Sequence, residues 1–316
     1  MHNILIAGCG RLGLRYLEGI IKIQQPLNIH IYDISDNAIF RAKKFINTNK
    51  NLLHKFYYHN KTIEPNIDFT LIIISSTADT RKKILYYLNQ RITYRYCILE
   101  KVLTQGVENS IDSMVLSSKA NVWVNMPRRI MPLYKKIKSL IDVGPIEMTV
   151  TGNKWGICCN GCHYIDLITW LTDETILKVN EIEFNNKYVW YETKRPNFYD
   201  IFGNVNLEFS SGSKLSLVSD LCHSKKHSVQ INTKTNIIDI DELSGKVMYN
   251  KNYKFTEKIL LQSFMSTELI KNIINHGKCK LTPLSDHLAS HNTFIDFLIN
   301  KYNKDHNTKN IFVPIT

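Results

Sequence analysis

The chain has 316 residues, with 40 Lys+Arg against 28 Asp+Glu and a formal net charge of +12. This length fits two domains of ordinary size, and no apolar run approaches the ~18 residues that span a bilayer, so no membrane segment is expected. The basic residues are scattered without interleaved stacking aromatics, which argues against a nucleic-acid partner and leaves the charge to attract an anionic small molecule or to lie solvated on the surface.

The first strand is expected at Asn3–Ala7, which leaves no room for a signal peptide and points to the cytoplasm. In that setting 7 cysteines, an odd number, read as free thiols. Directly after the strand comes Gly8-Cys9-Gly10-Arg11-Leu12-Gly13, a GxGxxG loop at the mouth of a helix expected over Leu12–Ile23. Gly8 suits the tight strand-to-helix turn, Gly10 the close approach of a pyrophosphate, and Gly13 the packing of helix on sheet. The open N–H groups of the helix start, with Arg11 and Leu12 in its first turn, would face the phosphates.

A second strand, Asn28–Tyr32, ends in Asp33 about 20 residues beyond Gly13, where a dinucleotide fold places its ribose-binding acid. A carboxylate there accepts both ribose hydroxyls and repels a 2'-phosphate, which favours NAD over NADP. Asp33 could instead cap the turn into the helix Asp36–Asn47, on which Arg41 could reach a 2'-phosphate.

Strands at Asp68–Ile74, Tyr96–Leu99 and Asn121–Val124 alternate with helices at Thr80–Asn89 and Val107–Lys119, the pattern of a parallel sheet covered on both faces. After Pro145 the texture changes to alternating or β-branched runs at Glu147–Thr151, Lys178–Phe184, Val205–Phe209, Lys214–Val218, Ser228–Asn232 and Ile237–Ile240. These suggest a mostly antiparallel sheet. Helices are expected at Gly161–Leu171, Ser263–His276 and Ser285–Asn300, and a polar surface loop at Asn300–Asn310. The fold class is therefore α/β, with an N-terminal Rossmann domain over residues 1–122 and a C-terminal α+β domain with an open sheet over 123–316.

Four further groups follow in order: Ser75-Ser76-Thr77, Glu100-Lys101, Asn125-Met126-Pro127-Arg128-Arg129 and His163-Tyr164-Ile165-Asp166. With the glycine loop, they resemble the glucose-fructose oxidoreductase, inositol dehydrogenase and MocA family over most of the first 170 residues. The resemblance implies that Ser75, Thr77, Glu100 and Lys101 border the cofactor. It also implies that Lys101 holds and polarises the reacting hydroxyl, with His163 as general acid/base. Arg128, Arg129, Trp155 and Asn160 are candidate substrate contacts, the arginines as planar forks for an anion and Trp155 as a stacking surface. Arg129 could equally form an ion pair within the domain, and Asp166 could orient the His163 ring or be structural.

The chain departs from the family at Val102, Ala78, Arg81 and Cys159, where the resemblance would place a proline, a proline, a histidine and an aspartate. Cys159-Asn160-Gly161-Cys162-His163 also spells the CxxCH of haem attachment, which the expected cytosolic setting excludes. A zinc site from Cys158, Cys159, Cys162 and His163 is disfavoured because four neighbours on one helix start do not surround a tetrahedral ion. No metal is expected.

The resulting expectation is an NAD-dependent oxidoreductase moving a hydride between nicotinamide and a secondary alcohol or ketone of a sugar, cyclitol or nucleotide sugar. The arginine pair tilts this toward an anionic substrate. The alternative is a catalytically inactive dinucleotide-binding sensor of the same fold. The resemblance also implies a homodimer or homotetramer formed through the open sheet.

Overall fold

The structure, a computed structural model, describes residues 1–316 except 50–51, 109–110, 112–118, 182–188 and 221–226. Two units are present: Met1–Thr104 with Asn109–Asn125 and Leu260–Leu284, and Gln105–Glu108 with Met126–Ile259 and Ser285–Thr316.

In the first unit, short apolar runs form β1 (His2–Ala7), β2 (Leu27–Asp33), β4 (Asp68–Ile74), β5 (Thr93–Leu99) and β6 (Asn121–Val124), and the more polar segment Lys55–Asn60 forms β3. They lie parallel in the order β6-β5-β4-β1-β2-β3, and the two-residue strand Thr282–Pro283 adds antiparallel to β6. Helices α1 (Arg11–Ile20), α2 (Asp36–Thr48) and α3 (Ala78–Asn89) alternate with the strands as the hydrophobic pattern requires. Ile4, Leu5, Ile6, Leu71, Ile72 and Ile73 are fully buried, the signature of a sheet covered on both faces.

A helix from the far end of the chain, Gln262–His276, also belongs to this unit. It meets α1 at Gly19, where a Cβ would lie 2.6 Å from the Ser263 carbonyl oxygen and 2.8 Å from the Ser266 Cβ. The Thr267 hydroxyl donates to the Gly19 carbonyl at 2.8 Å across the same contact. Small residues on both helices make this approach possible.

Among the described residues, the second unit is built on nine strands: β7 (Glu147–Asn153), β8 (Ile176–Glu181), β9 (Val189–Glu192), β10 (Tyr199–Phe209), β11 (Lys214–Asp220), β12 (Ser228–Asn232), β13 (Ile237–Asp241), β14 (Lys246–Tyr249) and β15 (Asn252–Thr256). Their order is β15-β14-β13-β12-β7-β11-β10-β8, with β9 beside the start of β10. All pairs are antiparallel except β7 with β11. One face carries buried Met148, Val150, Leu215, Leu217, Val229 and Ile231, whereas Thr149, Thr151, Ser216 and Ser228 alternate onto the other. Helix α4 (Pro132–Lys138) precedes the sheet in the chain, and α5 (Ile157–Thr172) lies on its apolar face. A Cβ at Gly161 of α5 would meet Leu217 of the sheet and Phe294 of the last helix, Leu284–His306, each at 3.0 Å.

The polar loop expected at Asn300–Asn310 is corrected, because the last helix runs on to His306. Its polar residues support the helix at i,i+4 spacing: Lys301 pairs with Asp305 at 2.8 Å, and Tyr302 stacks on His306 with centroids 4.1 Å apart. Strand β3 escapes the hydrophobic pattern because it is an edge strand with no fully buried residue. Helix α5 begins at Ile157, four residues before the expected start. Most of the helix expected at Val107–Lys119 and the end of the strand expected at Lys178–Phe184 lie outside the described residues. Among the described residues, no helix is long and apolar enough to cross a membrane.

Candidate functional site

At the carboxyl edge of the parallel sheet the glycine loop turns directly from β1 into α1. Gly8 has φ +92°, and a Cβ there would lie 2.8 Å from the Ser76 backbone nitrogen. At Gly13 a Cβ would lie 2.1 Å from the Gly8 carbonyl oxygen, so these two glycines are required by the fold itself. Gly10 differs, because nothing lies within 4 Å of the position its Cβ would take. It stands at the N-cap of α1 with no side-chain cap, and the first turn carries no acid. The helix therefore presents bare N–H groups beside open space, with Arg11 exposed and Leu12 half-buried next to them.

The surrounding side chains brace this loop. The Ser75 hydroxyl donates to the Gly8 carbonyl at 2.6 Å. Asp33 accepts the Cys9 N–H at 2.7 Å on one oxygen and the Ser35 N–H at 2.9 Å on the other, while Ser35 is the N-cap of α2. Asp33 is thus held at the end of β2 as a half-exposed carboxylate with lone pairs to spare. Thr77 caps α3 through its backbone, and its hydroxyl meets that of Thr80 at 3.2 Å. The Cys9 thiol is enclosed, and burial with the Asp33 charge pushes its pKa up to about 12.

These groups fit a dinucleotide: a glycine with room at its Cβ, uncapped helix N–H groups for a pyrophosphate, and a fixed carboxylate at the second strand end.

Strand β5 delivers Glu100 and Lys101 to the same edge of the sheet. Glu100 is 2% exposed, and its Oε1 accepts the Tyr16 hydroxyl at 2.6 Å and the Asn125 amide at 2.7 Å. Burial raises its pKa, against the opposing effect of these two donors and of the Arg81 and Lys101 cations. Lys101 is half-buried, and its peptide bond to Val102 is cis. Arg81, noted in the sequence only as a departure, is 2% exposed and donates to the carbonyls of Ser76, Val102 and Leu103.

In the second unit, Arg128, Met131, Trp155, Asn160, Tyr164, His227, Glu242, Leu243 and Ile259 line a pocket of about 370 Å³. Three of the expected substrate contacts, Arg128, Trp155 and Asn160, are brought together there. Neither Arg129 nor His163 is among its lining residues. The pocket wall is tightly bonded. The Arg128 guanidinium forms a two-pronged pair with Glu242, 2.9 Å on each prong, and donates to the Tyr164 hydroxyl at 2.7 Å. His227 Nε2 meets the Tyr164 hydroxyl at 2.5 Å and Glu242 at 3.1 Å, and the Tyr134 hydroxyl also donates to Glu242. Burial alone would raise the Glu242 pKa, but Arg128 and the converging hydrogen bonds hold it well below the usual carboxylate range. The Trp155 indole donates to the Val218 carbonyl at 2.8 Å, and its own carbonyl accepts the Asn160 amide at 2.6 Å.

Arg129 is engaged elsewhere, in a two-pronged pair with Asp166 at 2.6 and 3.0 Å. Both guanidinium forks offered for an anion are therefore occupied by carboxylates of the same unit. His163 lies half-buried on α5. The start of that helix is capped by Asp200, a residue the sequence did not single out. Its buried carboxylate accepts the N–H groups of Cys158 at 2.9 Å, Cys159 at 3.2 Å and its own neighbour Ile201 at 2.8 Å. Among the described residues the cysteines are free thiols, and no three His, Cys, Asp or Glu side chains are grouped for a metal ion.

The chain matches no family model and no curated protein. Among solved structures it is similar to a Desulfitobacterium hafniense protein described as a candidate NADPH-dependent oxidoreductase, with 13% identity, 97% of this chain and 96% of that chain covered, and a TM-score of 0.70. It is similar to UDP-N-acetylglucosamine 3-dehydrogenase from Acidithiobacillus ferrooxidans, with 12% identity, coverage of 94% and 96%, and a TM-score of 0.66. The scyllo-inositol dehydrogenase of Lactobacillus casei, solved with NAD(H) and scyllo-inositol, aligns at 16% identity over 93% and 95% with a TM-score of 0.62. At these identities the likeness is one of fold. The solved neighbours are oxidoreductases of the glucose-fructose oxidoreductase, inositol dehydrogenase and MocA type, and the fold of this chain is theirs.

Proposed function

We propose that the chain is a nicotinamide-dinucleotide-dependent oxidoreductase acting on a secondary alcohol or ketone of a sugar- or cyclitol-type ring, with NAD the preferred dinucleotide. The observation that carries this reading is the glycine loop, in which Gly8 and Gly13 are required by packing while Gly10 is left open beside uncapped helix N–H groups. A nicotinamide, when bound, supplies the hydride donor or acceptor.

The chain's own residues supply the rest. Gly10, Arg11 and Leu12 hold the phosphates through the backbone of the helix start, and Asp33 accepts the ribose hydroxyls. The roles that the resemblance implies are kept for each residue by itself: Lys101 to hold a reacting hydroxyl, and His163 to act as general acid/base. Trp155 and Asn160 hold the ring in the pocket of the second unit. With Arg128 matched by Glu242 at its wall, that pocket suits an uncharged ring better than an anionic one, because an added anion would compete with Glu242 for the same guanidinium.

Calorimetric titration with NAD, NADH and NADP tests the first half of this reading, and binding of none of them overturns it. A screen of neutral sugars and cyclitols for a change in reduced-nicotinamide absorbance tests the second. Once turnover is found, Lys101→Ala and His163→Ala are expected to lower kcat about 10²- to 10⁴-fold while leaving NAD affinity nearly unchanged. Full activity in both variants would remove the assigned roles. Tight dinucleotide binding with no turnover on any carbonyl or alcohol would favour the sensor.

A further inference from the structure

Arg81 is a long cation enclosed in the first unit, at 2% exposure. Burial of a guanidinium is costly unless its donors find acceptors, and here they find main-chain carbonyls in two separate loops. Nη2 donates to Ser76, in the loop after β4; Nη1 donates to Val102 and, at 2.9 Å, to Leu103, in the segment after β5. Both segments leave the carboxyl edge of the parallel sheet, where open α/β folds hold their ligands. The Ser76 backbone is also the surface against which Gly8 is packed, so the same loop forms the back of the dinucleotide cradle.

Val102 directly follows Lys101. A lysine side chain has four rotatable carbons, so the place its ammonium reaches depends on how firmly its backbone is held. Two anchors hold that backbone. Glu100 on one side is bonded to Tyr16 and Asn125, and on the other side the Val102 and Leu103 carbonyls are bonded to Arg81. We propose that Arg81 is the positioning residue for Lys101: its guanidinium ties the segment that carries the lysine to the Ser76 loop and so fixes the lysine against the cofactor cradle. The proposal rests on the role given to Lys101 above. It demands a planar fork, since a lysine ammonium at position 81 offers its donors from one point and does not span carbonyls of both loops.

The test uses the full chain with Arg81→Lys and Arg81→Ala. Fold is followed by thermal melting, dinucleotide affinity by calorimetry, and the reactivity of Lys101 by trace acylation and mass spectrometry, with exposed Lys178 as the internal control. Arg81→Lys is expected to melt cooperatively and to bind NAD within about threefold of the parent. Acylation of Lys101 rises several-fold while that of Lys178 does not change. In turnover, kcat falls about 100-fold with little change in KM, as expected for a misplaced catalytic group. Millimolar ethylguanidinium restores part of the loss in Arg81→Ala.

Unchanged Lys101 reactivity in a folded Arg81→Lys protein overturns the proposal. So does failure of both variants to fold, which would make Arg81 a residue of general stability only. Because the labelling needs neither cofactor nor substrate, it judges Arg81 separately. Failure of the parent chain to bind any dinucleotide would instead overturn the functional reading.

Discussion

The Asp33 carboxylate accepts the Cys9 N–H at 2.7 Å, so one side chain both ties the glycine loop to the end of β2 and supplies the charge proposed to select NAD. Asp33→Asn keeps an oxygen for Cys9 and removes the charge. The expected result in paired titrations is a narrowed NAD-to-NADP preference, by about 1–2 kcal/mol or roughly five- to thirtyfold. Asp33→Ala also loosens the loop and weakens NAD itself. An unchanged NAD-to-NADP ratio in both variants would show that this carboxylate does not read the ribose.

Gly10 and Gly13 separate the proposed dinucleotide contact from folding. Alanine at Gly10 meets no atom within 4 Å, so stability is expected to stay within about 0.5 kcal/mol while dinucleotide affinity drops. Alanine at Gly13 places a Cβ 2.1 Å from a backbone oxygen, and the whole strand-to-helix turn must shift. That variant is expected to lose about 2 kcal/mol or more in urea unfolding. Equal behaviour of the two would remove the distinction between a packing glycine and a ligand glycine.

Glu242 makes stability depend on acid. Its pKa is held well below the usual carboxylate range, so its contribution is fully present above the ordinary unfolded value and is lost as pH falls through the folded one. Glu242→Gln leaves Arg128 without its counter-charge and is expected to cost about 3–5 kcal/mol at neutral pH. The variant should also show a flatter loss of stability on acidification, read by denaturant titrations at a series of pH values. A variant curve parallel to the parent's would show that Glu242 does not set the acid response.

Asp200→Ala removes the acceptor for two N–H groups at the start of the helix that carries His163, and is expected to destabilise the fold by about 2–4 kcal/mol. Asp200→Asn should recover part of this, since an amide oxygen still accepts although the amide nitrogen cannot. Urea unfolding of the three proteins checks the order, and an alanine variant as stable as the parent would remove the cap from the account.

The parts of the site legible in the sequence are those whose signal is local. Gly8 to Gly13 carries its geometry in six successive residues, and Asp33 stands at a strand end that alternation already marks. Glu100 and Lys101 likewise follow directly on a short apolar strand end, Cys97-Ile98-Leu99. Arg81 is visible there only as a residue out of place, because its partners at Val102 and Leu103 lie 21 and 22 residues on, in a turn no pattern describes. Asp200 reaches back 42 residues to Cys158, and Glu242 reaches 114 residues to Arg128. Neither has any periodicity to betray it. The Arg128-Arg129 pair invites an anion because a sequence shows charges without their partners, and the structure gives each fork a carboxylate.

The helix Gln262–His276 belongs to the unit that begins at Met1. During synthesis this unit cannot close when its first 125 residues emerge from the ribosome. The face of α1 around Gly19 must wait, bare, until more than 130 further residues have been added, at rates of about 5–20 residues per second. A fragment ending at Asn125 would carry that waiting state permanently and should be prone to aggregate. Producing the first unit alone therefore requires the segment Leu260–Leu284 to be grafted back onto it.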